Sequence, residues 1–111
     1  MENRKCSRYP LICPIAFSGD HLAGEGLVVN LSAQGCLIGT HTNAQEKTCL
    51  TLRVSLPDEA SPMMVDQAVV RWSMEREFGV EFIHMQPEEQ ARLRRFVRTL
   101  ETRPSHARIP T

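Results

Sequence analysis

The stretch "TCLTLRVSL", residues 48–56, decides the fold class because apolar and polar residues alternate along its whole length. One face carries Leu50, Leu52, Val54 and Leu56, and the other carries Cys49, Thr51, Arg53 and Ser55. A period of two is typical of a β-strand with one face in a core and one face in water. The stretch therefore predicts a half-buried strand.

The same alternation recurs on both sides of this strand. In chain order the predicted strands lie at residues 11–17, 22–31, from 36 onward, 48–56, 65–72 and 78–82. Segments rich in Gly, Asp, Asn, Ser and Pro separate them at residues 18–21, 30–35 and 57–62. Such segments are typical of turns between short antiparallel strands.

The period changes in "QPEEQARLRRFVRTLE", residues 86–101. Its apolar residues, at i, i+3, i+4 and i+7, are Leu93, Phe96, Val97 and Leu100. Pro87 suits a first helical position, so we predict a C-terminal helix. Its arginines, which we predict to form a solvated face with an acidic partner as the alternative, are Arg92, Arg94, Arg95 and Arg98.

Six short strands followed by one helix predict an all-β fold. A small six-stranded antiparallel β-barrel closes the sheet and leaves no open edge, and the helix would cap or flank it. We predict a single domain over residues 1–102 and a disordered tail over residues 103–111, where no pattern is visible.

The charge balance argues against a polymer of nucleic acid as ligand. The chain has 13 basic and 13 acidic residues, so it lacks the cationic surface that a duplex requires. No apolar run reaches the roughly 18–20 residues that span a bilayer, and no secretory signal segment follows the first charges. We therefore expect a cytoplasmic protein without membrane insertion.

The four cysteines, Cys6, Cys13, Cys36 and Cys49, form no C-x-x-C pair. Isolated cytosolic thiols are favoured over zinc ligation, which stays the alternative. The sequence also lacks a nucleophile elbow, a phosphate-binding glycine loop and a dinucleotide fingerprint. We expect no enzyme activity, no metal and no resident cofactor.

Two short motifs contain the residue types of a nucleotide site. The first is "RKCSR", residues 4–8, where Arg4 and Arg8 precede a predicted strand. Arginine binds phosphate and the guanine O6/N7 edge through a planar fork. Taken alone, two arginines near a terminus are more often solvated surface.

The second motif is "NLSAQG", residues 30–35, between two predicted strands. Asn30 could bond a base edge and Ser32 could donate its hydroxyl to a phosphate oxygen. Gly35 permits a positive φ and a close backbone approach. The alternative is an ordinary turn, stabilised by Asn and Ser side-chain bonds to the backbone.

Together and in this order, the motifs resemble the PilZ domain family, which carries R-x-x-x-R and then [D/N]-x-S-x-x-G. The strings "VVRW" at 69–72 and "FGVEF" at 78–82 extend the resemblance. The resemblance implies a six-stranded barrel that binds cyclic di-GMP, a bacterial second messenger. By position, Arg4 and Arg8 would hold phosphates and guanine Hoogsteen edges. Asn30 would bond a guanine edge, Ser32 would contact phosphate or base, and Gly35 would shape the turn.

Further candidates lie beside these residues. Trp72, the only tryptophan, could stack on a guanine or could fill the end of the barrel, and both interpretations stay open. Lys5 and Ser7 inside the first motif, and Arg71 beside the tryptophan, are weaker candidates.

The resemblance implies a stand-alone receptor, a monomer or weak dimer, that relays the signal to an unidentified protein effector. Motility, exopolysaccharide synthesis and biofilm formation are the family's usual outputs. The main alternative is a degenerate PilZ-like adaptor that binds only protein. A barrel that binds single-stranded nucleic acid is a weaker alternative, because few aromatic residues are left for stacking.

Overall fold

The computed structural model describes residues 7–102, which form six β-strands and one α-helix. The elements are β1 Tyr9–Ser18, β2 Ala23–Leu31, β3 Gly35–Gly39, β4 Cys49–Val54, β5 Met63–Met74, β6 Glu77–His84 and α1 Pro87–Glu101. All seven predicted elements are confirmed, with strand ends that differ by at most two residues. The tail at 103–111 lies outside the described residues, so its predicted disorder stays a prediction.

The strands form a closed barrel in the order β1-β2-β3-β6-β5-β4, with β4 paired back to β1. Every neighbouring pair is antiparallel. Closure gives each strand two partners, so the sheet has no open edge that could pair with another chain. The predicted six-stranded antiparallel barrel is confirmed.

The alternating side chains fill the barrel as the period of two predicted. On β1 the buried residues are Leu11, Cys13, Ile15 and Phe17, and on β4 and just beyond it they are Leu50, Leu52, Val54 and Leu56. Phe17 packs edge-to-face on Phe78 of β6, with ring centroids 5.3 Å apart. This arrangement is one of the two that aromatic pairs prefer.

Two of the cysteines belong to this core. Burial raises the pKa of Cys13 to about 11 and that of Cys36 to about 12, so both thiols stay protonated at neutral pH. Cys49 is an exposed free thiol. Within residues 7–102, no group of three or more His, Cys, Asp or Glu side chains is placed to hold a metal ion.

Helix α1 packs against β5 and β1, the two strands on either side of β4 in the barrel. Its buried residues Leu93, Val97 and Leu100 confirm the predicted apolar stripe. In the part of the chain that the structure describes, no helix is long and apolar enough to cross a bilayer.

The prediction of a solvated arginine face is wrong for Arg92, whose side chain is only 15% exposed. Its guanidinium pairs with Glu59 at 2.9 Å and with Glu89 at 3.2 Å. It also donates to the backbone carbonyls of Pro62 and Ser61. Arg92 therefore fastens α1 to the 57–62 loop. The sequence could not reveal this role, since the loop and the helix are some thirty residues apart.

Candidate functional site

The antiparallel pairing of β1 with β2 brings the two motifs together. Tyr9 lies opposite Leu31 and Pro10 lies opposite Asn30. The start of β1 therefore meets the end of β2, and Arg8 Nη1 donates to Asn30 Oδ1 over a long 3.4 Å. Arg4 and Lys5 lie outside the described residues, so their predicted roles stay predictions.

Ser32 holds the turn between β2 and β3 together. The side chain is buried, and its Oγ accepts the backbone N–H groups of Gln34 at 3.1 Å and Gly35 at 3.2 Å. The hydroxyl is 3.3 Å from the carbonyl oxygen of Gly35, to which it donates. Ser32 therefore stabilises the turn through bonds to the backbone, as the alternative interpretation of the motif predicted. Its predicted contact with phosphate or base stays a prediction.

Gly35 is required by close approach and not by its backbone dihedral. No glycine among the described residues has a positive φ, so that part of the expectation is wrong for Gly35. A Cβ at this position would instead collide with the carbonyl oxygen of Val80 on the paired strand β6. Because Gly35 has no side chain, the backbone of the turn can lie against β6.

A bulge in β2 turns Asn30 outward. Val28 pairs with Ile38, but the next pair is Asn30 with Leu37, so Val29 is an extra residue. Val28 and Leu31 are both fully buried, whereas Asn30 is half-buried. Strict alternation from Val28 would point Asn30 into the core. The bulge reverses its direction, as bulges beside binding sites often do.

A second bulge, in β5, turns the side chain of Trp72 outward. Val70 pairs with Val80, and Trp72 pairs with the adjacent Gly79, so Arg71 is the extra residue. Val70 is fully buried, and continued alternation would place the indole inside the barrel. Trp72 is instead half-buried on the outer surface, which is the placement that stacking on a ligand requires.

The two bulges align one row of outward-facing positions across four strands. Asn30 on β2 pairs with Leu37 on β3, Leu37 pairs with Gly79 on β6, and Gly79 pairs with Trp72 on β5. With neighbouring strands about 4.8 Å apart, the row is about 14 Å long. The indole lies directly over Gly79, where a Cβ would come within 2.5 Å of Trp72 Nε1.

A cleft of about 230 Å³ lies along this row. Its lining residues are Arg8, Ser32, Gln34, Gly35, Arg71, Trp72, Gly79, Val80 and Glu81. Drug-sized ligands usually occupy roughly 300–1,000 Å³, so the cleft can enclose one base with its phosphate and leave the rest of a larger ligand on the surface. A second cleft, of about 260 Å³, lies between the turn and α1, and Gln34 lines both.

The structure thus brings together Arg8, Ser32, Gly35, Trp72 and Arg71 in one cleft, with Asn30 bonded to its rim. Ser7 is exposed and does not line the cleft.

The sequence reasoning missed Gln34, Gly79 and Glu81 as site residues. Gly79 had a usable signal, because a glycine inside a strand often marks a close approach. Gln34 and Glu81 showed no sequence pattern that would mark a site residue.

The fold is a small closed β-barrel, and its outer cleft is lined by the side chains of Arg8, Trp72 and the Arg71–Glu81 pair. The family of the protein is identified by its sequence. The PilZ domain model matches residues 2–99, so the chain belongs to the PilZ domain family.

Solved structures show the same fold. The Bacillus subtilis inhibitor of motility (MotI/DgrA) superposes with a TM-score of 0.74 at 22% identity, over 94% of this chain and 55% of that one. The PilZ domain of CeSA from a cellulose-synthesizing bacterium gives 0.69 at 17% identity, over 86% of this chain and 98% of that one. The chain therefore spans about half the length of the first protein and nearly all of the second. No curated protein is significantly similar to it in sequence.

Proposed function

We propose that this protein is a receptor for cyclic di-GMP and not an enzyme. The observation that carries the proposal is the meeting of the two motifs: Arg8 bonds Asn30 across 22 residues of sequence, at the rim of a cleft that also contains Trp72. Phosphate-binding and base-binding side chains therefore face one ligand-sized surface.

Each side chain then has a defined task. The Arg8 fork binds a phosphate or the O6/N7 edge of a guanine, since arginine pairs with both in a bidentate manner. Asn30 bonds a base edge and Trp72 stacks on the ring. Ser32 and Gly35 fix the turn that forms one wall. Arg4 completes the arginine pair by its place in the motif.

Calorimetric titration with cyclic di-GMP tests the proposal. We expect saturable binding, with much weaker binding of GMP and cyclic di-AMP. Adenine presents a donor where the guanine O6 accepts, so an arginine fork loses one partner. Equal affinity for cyclic di-AMP would contradict the proposal that the site recognises guanine. Absence of any binding would leave the ligand-independent adaptor as the function.

The same titration with Arg8→Ala localises the site. A charge-assisted bond contributes on the order of 1.5–3 kcal/mol, so we expect roughly a ten- to hundredfold loss of affinity. Arg53→Ala is the matched control, because Arg53 is an exposed arginine on β4 outside the cleft. If both variants bind like the wild type, the assignment to the "RKCSR" motif is wrong.

A receptor of this kind acts by presenting a changed surface to a protein effector. Motility is one candidate output, since MotI/DgrA is described as an inhibitor of motility and shares this fold. Exopolysaccharide synthesis, and with it biofilm formation, is the other output that the family suggests.

A further inference from the structure

Glu81 is an acidic residue at the centre of a site that would bind an anion. It follows Gly79 by two residues on β6, so both point outward, and it pairs with Gly35 of the turn. It lines the cleft together with Arg8 and Trp72. An unneutralised carboxylate here would repel the phosphates of any nucleotide.

Arg71 neutralises this carboxylate and fixes its direction. Its Nε and Nη2 both lie 2.7 Å from the same oxygen, Glu81 Oε1. The other oxygen, Oε2, accepts no hydrogen bond from residues 7–102. The two side chains are about half exposed, at 53% and 48%. Exposed pairs of this kind contribute little to stability.

A fixed carboxylate with one available oxygen is an acceptor for adjacent N–H groups. Guanine carries such donors, N1–H and N2–H₂, side by side on its Watson–Crick edge. Adenine has an acceptor at N1 and no N2 amine. Two residues along a strand cover about 7 Å, which is close to the width of a base. A base stacked on the indole above Gly79 therefore extends its edge towards Glu81.

We propose that Glu81, oriented by Arg71, is a specificity-determining residue that accepts hydrogen bonds from the Watson–Crick edge of a guanine stacked on Trp72. This inference rests on the proposed function and extends it. The arginine forks read O6 and N7, which adenine shares in part. The carboxylate reads N1 and N2, where adenine offers no donor.

Calorimetric titrations with cyclic di-GMP and with cyclic di-IMP, which lacks the N2 amine, test the inference. The wild type should bind the inosine ligand about ten- to a hundredfold more weakly, since one charge-assisted bond is lost. In Glu81→Gln, Arg71 would hold the single amide oxygen and an N–H₂ donor would replace Oε2. The affinity for cyclic di-GMP should therefore fall by a similar factor, and the ratio between the two ligands should approach one. A merely structural role would leave this ratio unchanged.

Glu77→Gln is the matched control. Glu77 begins β6 on the same outer face but lies outside the cleft, so its loss removes one charge without removing the acceptor. If Glu81→Gln does not fold, Glu81→Asp keeps the charge but shortens the reach by one methylene, and it should also lose the discrimination.

The outcomes separate the inference from the proposed function. Suppose that the wild type binds cyclic di-GMP, that Glu81→Gln binds it equally well or better, and that the affinity ratio between the guanine and inosine ligands is unchanged. These results would overturn the role of Glu81 and leave the proposed function standing. That result would mean that the carboxylate only repels phosphate. Absence of wild-type binding to cyclic di-GMP refutes the proposed function, and the inference with it.

Discussion

At the scale of single residues, the site depends on which way two side chains point. Asn30 and Trp72 are half-buried on the outer surface because one extra residue precedes each of them in its strand. The sequence predicted Asn30 as a site residue through a motif and left Trp72 open between core and ligand. A period of two cannot distinguish these cases, since a bulge inverts the pattern without changing the composition.

The outward indole gives a direct optical prediction. If Trp72 stacks on a base, its fluorescence should change on titration with cyclic di-GMP, and it is the only tryptophan in the chain. Trp72→Ala should lose about 1–3 kcal/mol of binding free energy, and Trp72→Phe, which keeps a smaller ring, should lose less. The melting temperature of the alanine variant is the control. An unchanged spectrum, together with a large drop in melting temperature, would assign the indole to packing.

At the scale of elements, periodicity predicted the long alternating strands and the helix. The alternation on β1 and β4 and the i, i+3, i+4, i+7 spacing on α1 each correspond to a buried face in the structure. What periodicity could not predict is how α1 attaches to the barrel. That attachment uses Arg92, whose acceptors lie in the 57–62 loop and in the first turn of the helix.

Removing Arg92 should loosen the helix. Arg92→Ala leaves two carboxylates, Glu59 and Glu89, without their common partner and removes donors from two backbone carbonyls. We expect a loss of about 1–3 kcal/mol in the free energy of unfolding, measured by urea denaturation. Arg95→Ala is the matched control, because the Arg95 side chain is exposed on the same helix and makes no hydrogen bond with residues 7–102. Equal stability of the two variants would show that the Arg92 contacts contribute nothing net.

At the scale of the whole molecule, barrel closure determines which strands lie beside the cleft and which strand lies opposite it. The sequence predicted a closed six-stranded barrel, and the order β1-β2-β3-β6-β5-β4 places β4 directly opposite β3. The pairing of β3 with β6, which forms the cleft, joins strands that are almost forty residues apart. No local pattern encodes such a pairing, and for that reason Glu81 and Gln34 could not be predicted as site residues.

The turn at 32–35 is the element through which ligand binding could reach a partner. It is one wall of the cleft that Arg8 and Trp72 line, and Gln34 also lines the second cleft against α1. Its position on the barrel is fixed by the N–H of Phe82, which donates to the carbonyl oxygen of Gln34 over 2.8 Å. A ligand that binds only the ordered turn stabilises it by mass action. Under the proposed function, the ordered turn would be the surface that a protein effector reads.

Amide hydrogen exchange tests this coupling. On addition of cyclic di-GMP, exchange should slow at residues 30–36 and at the Phe82 amide, because opening of the turn now requires loss of the ligand. Exchange in β4, on the far side of the barrel, should change little, which makes that strand the internal reference. Arg8→Ala, measured at the same ligand concentration, should remove most of the protection. Protection confined to α1, with the turn exchanging as before, would reject the turn as the responding element even if the ligand binds.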